Sequence, residues 1–166
     1  MCLLCGPQAP AFGEFGITER PAQDLEGLFW EGTHEEAAAG AVRSVLKTVQ
    51  ARSGDLGRSL WGGSIVGVSW NTGPGRFRTF VGFERGEREA ASEEAWTELA
   101  LPARKYATVW HSDTDGDVVE RYGRMIEWIG MVGHVRPRDG PHHREEYAAD
   151  VDFDGLPMLR LMLPIA

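Results

Sequence analysis

LFWEGT (28–33) returns farther along the chain as TVWHSD (108–113). Superposing Trp30 on Trp110 puts a short apolar run before a helical pattern in both copies. The first helical pattern is EEAAAGAVRSVLKTVQAR (35–52), in which Val42, Val45, Leu46 and Val49 recur at i, i+3, i+4 and i+7. Thr33 and Glu36 form a capping-box pair at its start. The second is DGDVVERYGRMIEWIGMVG (115–133), with Val118, Val119, Tyr122, Ile126 and Ile129 as its apolar stripe and Gly133 as its stop.

Strand patterns surround both helices. AQDLEGLFW (22–30) precedes the first, and SIVGVSW (64–70) and RFRTFVGFE (76–84) follow it across the Gly/Pro turn NTGPG. KYATVWH (105–111) precedes the second, and REEYAADV (144–151) and LRLMLPI (159–165) follow. The order strand, helix, strand, strand thus occurs twice, an internal repeat that decides the fold. The expected class is α+β: two βαββ units, about 20–84 and 98–166, joined by a charged linker (85–97) and preceded by a flexible leader (1–19). Their antiparallel strands pair into one saddle-like sheet with both helices on one face. The other face is then covered, wet, or a ligand site.

Composition narrows the function classes. With 42% hydrophobic and 25% charged residues the chain is globular, not disordered. A net charge of −8 argues against a general nucleic-acid surface, which needs a basic stripe. Cys2 and Cys5 are the two cysteines, so no disulfide framework is expected, and no second CxxC or HxxxH completes a zinc site. No signal-peptide pattern and no apolar run of membrane-spanning length occurs, which predicts a cytoplasmic protein without membrane or direct nucleic-acid partners. DTDGD (113–117) has its glycine at the wrong position for a calcium loop and reads instead as an acidic first helical turn. Adjacent His142 and His143 face opposite ways on a strand, so with His111 they make a poor metal set; no metal or cofactor is expected. GxSxG, P-loop and dinucleotide fingerprints are lacking.

Alternation sorts the aromatic residues. Val66, Val68 and Trp70 share a face; so do Phe77, Thr79, Val81 and Phe83, opposite Arg78, Phe80, Gly82 and Glu84. Tyr106, Thr108 and Trp110 oppose Ala107, Val109 and His111, while Leu159, Leu161, Leu163 and Ile165 make an uninterrupted core face. Trp30, Trp70, Trp110, Tyr106, Phe80 and His111 are candidates to line a concave aromatic face suited to flat, apolar or cationic ligands. Packing beneath two helices would use the same residues, and Trp96 and Trp128 read as linker and helix packing. In HHREEY (142–147), alternation separates an outer, solvated set, His142, Arg144 and Glu146, from an inner set, His143, Glu145 and Tyr147.

These motifs resemble a known family. Leu101-Pro102-Ala103, Tyr106-Ala107-Thr108, Tyr122 with Ile126 to Trp128, Glu145 with Tyr147, and Met162 to Ile165 are similar to the second half of GyrI-like domains. These domains are also the effector-binding part of multidrug-sensing bacterial transcription regulators. VGVSWNTGPGRFRTFVGFE (66–84) resembles their first-half hairpin more loosely. The resemblance implies the same saddle, with a ligand cleft where the halves meet and the family's pocket glutamate at Glu145. Arg144 departs from the aromatic residue often found before that glutamate. No DNA-binding module is expected, which implies a stand-alone member. The implied function is binding of a hydrophobic, aromatic or cationic small molecule, a drug or natural product. One alternative is hydrolysis of a strained, cyclopropanoid-type electrophile, with Glu145 as general base and Tyr147 as hydrogen-bond donor or acid. Another is inhibition of gyrase by direct protein binding.

Overall fold

The computed structural model describes residues 15–55, 65–84 and 96–166. Eight strands form one antiparallel sheet: β1 (Gly16–Arg20), β2 (Gln23–Thr33), β3 (Ile65–Gly73), β4 (Arg76–Glu84), β5 (Thr97–Leu101), β6 (Arg104–Ser112), β7 (His143–Tyr147) and β8 (Met158–Ile165). Among the described residues three α-helices, α1 (His34–Ala38), α2 (Ala41–Asp55) and α3 (Val118–Met131), and a short 3-10 turn (Asp113–Asp115) accompany it. The lateral order is β1-β6-β8-β7-β3-β4-β2-β5. The repeat is therefore visible as β6-β8-β7 set against β3-β4-β2, and β7 pairs with β3 at the centre through Ile65↔Tyr147, Gly67↔Glu145 and Ser69↔His143.

The outermost strands were not legible beforehand. All of β1 but Arg20 lies inside the stretch expected to be a flexible leader, and β5 begins at the end of the expected linker. Each precedes one repeat but pairs with the other: β1 with β6, and β5 with β2. This exchange bends the sheet. β1 and β2 stand first and seventh in the order, yet only Pro21 and Ala22 separate them. Six inter-strand spacings would cover about 29 Å in a flat sheet. Two linking residues reach at most about 11 Å. The sheet must therefore curl until its ends approach, and Pro102-Ala103 between β5 and β6 imposes the same closure from the other side. Opposed glycines accommodate the bend: a Cβ on Gly27 would lie 1.9 Å from the Val81 carbonyl oxygen, and one on Gly82 2.5 Å from that of Glu26.

Both long helices cover the convex face. α3 lays Met125 and Ile129 on Ala107, Val109, Leu161 and Leu163. α2 lays Leu46 and Val49 on Ile65, Val81 and Phe83. The expected first helix is divided by a turn at Gly40, whose φ of 109° no side-chain-bearing residue adopts readily. Thr33 caps α1 by accepting from the Glu36 amide. In α3 the expected stripe is rotated: Val119 and Ile126 are 76% and 46% exposed, and Arg121 and Met125 point inward instead. Apolar residues encircle more of α3 than one sheet can cover, so periodicity alone could not select the buried arc. Gly133, at a φ of 82° just past the C-cap Val132, stops α3 as expected, with the Gly133 and His134 amides donating back to the carbonyls of Gly130 and Ile129. Among the described residues no helix is long and apolar enough to cross a membrane.

Around Arg144 and Glu146 the concave face is buried, which corrects the reading of these two residues as part of an outer wet set. Arg144 is 2% exposed and is among the bulkiest fully buried side chains. Glu146 accepts two hydrogen bonds from Arg20, at 2.9 and 2.7 Å, and one from Arg144 at 3.0 Å. Arg144 also donates to Gln23 at 2.7 Å, tying β7 to the start of β2. Burial opposes ionisation of Glu146, but the hydrogen bonds from Arg20 and the charges of Arg144, Arg20 and Arg160 outweigh it and hold the carboxyl below its ordinary range.

Candidate functional site: a carboxylate between two helices

Pairing across the sheet puts one row of side chains on the convex face: Val109, Leu161, Glu145, Gly67, Val81 and Leu28. α3 covers one end of this row and α2 the other. Glu145 falls between them, at the junction of the repeats. A Cβ added to Gly67 would meet only the Cβ of Glu145, at 4.0 Å, so the floor beside the carboxylate is open. The Glu145 side chain is 22% exposed.

Two phenols hold this carboxylate. Tyr122, on α3, donates to Oε1 at 3.0 Å; Tyr147, two residues along β7, donates to Oε2 at 2.6 Å. Burial, and next the charge of Glu145, push both hydroxyls well above the ordinary phenol range, so they remain protonated donors at neutral pH. His143 stands with its Nε2 4.0 Å from Oε1 and its ring 5.3 Å from that of Tyr122. Burial draws its imidazole below the ordinary value against the opposing pull of Glu145, leaving it neutral at neutral pH. Among the described residues no Arg or Lys pairs with Glu145.

The contrast with its neighbour is sharp. Glu146, one position on and facing the other way, is neutralised by guanidinium groups; Glu145 has hydrogen bonds but no countercharge. A half-buried carboxylate in that condition is a place for a cation.

The row beside Glu145 runs through His143, Ser69, Thr79 and Trp30. The Ser69 hydroxyl lies 3.1 Å from that of Thr79, and the Trp30 ring packs on Phe77 at 5.3 Å, with His34 stacked on Phe77 beyond it. Tyr147 closes the opposite end against Phe153, 5.2 Å away. The loop carrying Phe153 is bound to α2 by the Lys47–Asp154 ion pair and by Gln50, which donates to the carbonyls of Ala149 and Val151.

Of the residues singled out in the sequence, Glu145, Tyr147, His143, Trp30 and His111 thus share the convex face. His111 is fully buried there, with neither ring nitrogen hydrogen-bonded. Trp70, Phe80, Tyr106 and Trp110 lie on the concave face instead. Arg160 lies over Trp110 and Arg144 over Tyr106, while Trp70, tilted, and Phe80, edge-on, pack against Phe29, over which Arg78 sits at 3.8 Å. Tyr122 and Gly67 were missed. Tyr122 was placed on the inner stripe of its helix, and its hydroxyl was the available signal: a buried phenol needs a partner. Among the described residues no cluster of three or more His, Cys, Asp or Glu side chains is placed to hold a metal ion; Cys2 and Cys5 lie outside them.

The model of the GyrI-like small molecule binding domain matches residues 14–166. The chain belongs to the GyrI-like family. This GyrI-like domain is similar to solved structures at low identity. One is SAV2435 bound to tetraphenylphosphonium, with 13% identity over 92% of this chain and 94% of that one and a TM-score of 0.61. Another is the C-terminal domain of EcmrR, with 12% identity, 92% and 97% coverage and a TM-score of 0.62. A third is a hydrolase from Listeria innocua, with 13% identity, 92% of each chain and a TM-score of 0.54. At such identities the likeness is one of fold. No curated protein sequence matches the GyrI-like chain significantly.

Proposed function

We propose that this GyrI-like domain binds a hydrophobic, aromatic, cationic small molecule between α2 and α3, with Glu145 as the countercharge. The observation that carries this reading is Glu145 itself: held at both oxygens by phenols, partly open to water, and without an Arg or Lys partner among the described residues. Trp30, His143, Tyr122 and Tyr147 supply aromatic surface for a ligand whose charge is spread over apolar groups. SAV2435, which shares the fold, has been solved with such a cation. Titration with tetraphenylphosphonium, followed by isothermal calorimetry, tests the proposal. Saturable one-to-one binding is expected; no heat of binding at millimolar probe overturns it.

A second reading has one observation in its favour, the 2.6 Å contact of Tyr147 with Glu145, and the hydrolase from Listeria innocua shares the fold. Glu145 would then orient a water for attack on a strained electrophile while Tyr147 donates to the opening group. Both carboxylate oxygens already accept a phenol, so the water would need a remaining lone pair, and binding is the simpler use of the site. Incubation with cyclopropane-bearing electrophiles and mass spectrometry separates the two: a product heavier by one water supports hydrolysis, and recovery of unchanged compound dismisses it.

A further inference from the structure

The concave face carries a second imbalance of charge, opposite in sign to that at Glu145 and separated from it by the sheet. Three buried guanidinium groups, Arg20, Arg144 and Arg160, gather around Glu146, the one buried carboxylate on this face among the described residues. The chain as a whole carries a net charge of −8, so a buried positive cluster is not a local sample of its surface.

Arg20 and Arg144 are hydrogen-bonded to Glu146, and Arg144 also to Gln23. Arg160 is excluded from that pairing. Its nearest Glu146 oxygen is 4.0 Å from Nη1, beyond hydrogen-bond reach, and its Nε has no acceptor although the residue is only 3% exposed. Its guanidinium rests 5.2 Å from the centre of the Trp110 ring.

Thr108 lies beside it on the same face. On β6 it is opposite Met162, two residues along β8 from Arg160, so the two side chains are diagonal neighbours. Thr108 is 0% exposed and its Oγ1 has no partner either. Two adjacent buried donors without acceptors, one of them charged, cost free energy unless something accepts from them. Met158, the next residue of β8 on this face, is 52% exposed, so water reaches the row beside Arg160.

We propose that Arg160 and Thr108 form a binding site for a small oxyanion such as phosphate, sulfate or a free carboxylate on the concave face of the sheet. The anion accepts from the Arg160 guanidinium and the Thr108 hydroxyl and offsets the charge that Glu146 leaves over. This site is independent of the ligand proposed at Glu145.

Inorganic phosphate is the probe. Its 31P linewidth should broaden in the presence of the wild-type protein and sharpen again on addition of sulfate; an unbroadened line at millimolar phosphate overturns the proposal. In thermal melts at matched ionic strength, phosphate should raise the wild-type Tm along a saturating curve relative to chloride. Exclusion of kosmotropic anions stabilises every variant alike and does not saturate. Arg160→Met should therefore retain only the unsaturated part. Thr108→Val breaks no protein hydrogen bond and keeps every charge, so it tests the site even if Arg160→Met does not fold. It should weaken phosphate severalfold without lowering Tm in chloride. A saturating response unchanged in Thr108→Val sinks the assignment.

Discussion

Replacing Glu145 with glutamine separates charge from shape at the helix-side site. The amide keeps the volume and a carbonyl for one of the two phenols, and its NH2 can donate to the other. A delocalised cation centred about 5 Å from the carboxylate gains roughly 3 kcal/mol at an effective dielectric constant of about 20. The side chain is 22% exposed, so water and salt screen part of that. A net loss of about 1.5–2 kcal/mol follows, or roughly a 10–30-fold rise in Kd for tetraphenylphosphonium. Triphenylphosphine oxide presents similar aromatic surface without the charge, and its affinity should change less than twofold. Calorimetry of both probes at 0.05 and 0.5 M salt makes the comparison, with the difference between wild type and Glu145→Gln shrinking at high salt. If the variant binds the cation within twofold of wild type, or loses both probes equally, the electrostatic role of Glu145 is refuted.

The neighbouring glutamate should behave in the opposite way. Glu146→Gln leaves three buried guanidinium groups without a countercharge, and urea denaturation should show a loss of roughly 3–5 kcal/mol, whereas Glu145→Gln should stay within about 1 kcal/mol of wild type. Gly67→Val builds onto the open floor beside Glu145, where an added Cβ meets no backbone; the probe should bind at least tenfold more weakly while stability changes by no more than about 1 kcal/mol. Stability should also depend on pH through the histidines. Burial lowers the imidazoles of His111 and His143 below the ordinary 6.5, so below that pH the unfolded chain takes up protons that the folded chain resists. Their contribution is complete above about pH 6.5 and declines as pH falls toward the folded-state values. Urea midpoints should drop between pH 7 and 5, and a flat profile would contradict the burial of these rings.

Much of this protein follows from local pattern. Period-two alternation correctly joined Glu145 to Tyr147 and His143, Val66 to Trp70, and Leu159 to Ile165, because the pleat of a strand is set by its own backbone. The two copies of strand, helix, strand, strand were legible for the same reason, as was the stop at Gly133. Which face of each strand meets the helices is a different matter. Trp110 and Glu145 both look inward on their own strands, yet β6 and β8 pair so that Trp110 shares a face with Arg160, and Glu145 with Leu161. That registry depends on residues distant in sequence, and the exchange of β1 and β5 through two short Pro-Ala links depends on both halves at once. Closure of the sheet buried Arg144 and Glu146, read from alternation as solvated, in an arginine cluster, and left Glu145, on the other side, as a carboxylate with no Arg or Lys partner among the described residues. Strand periodicity carries information over a few residues; the burial of a charge is decided by what the rest of the chain brings over it.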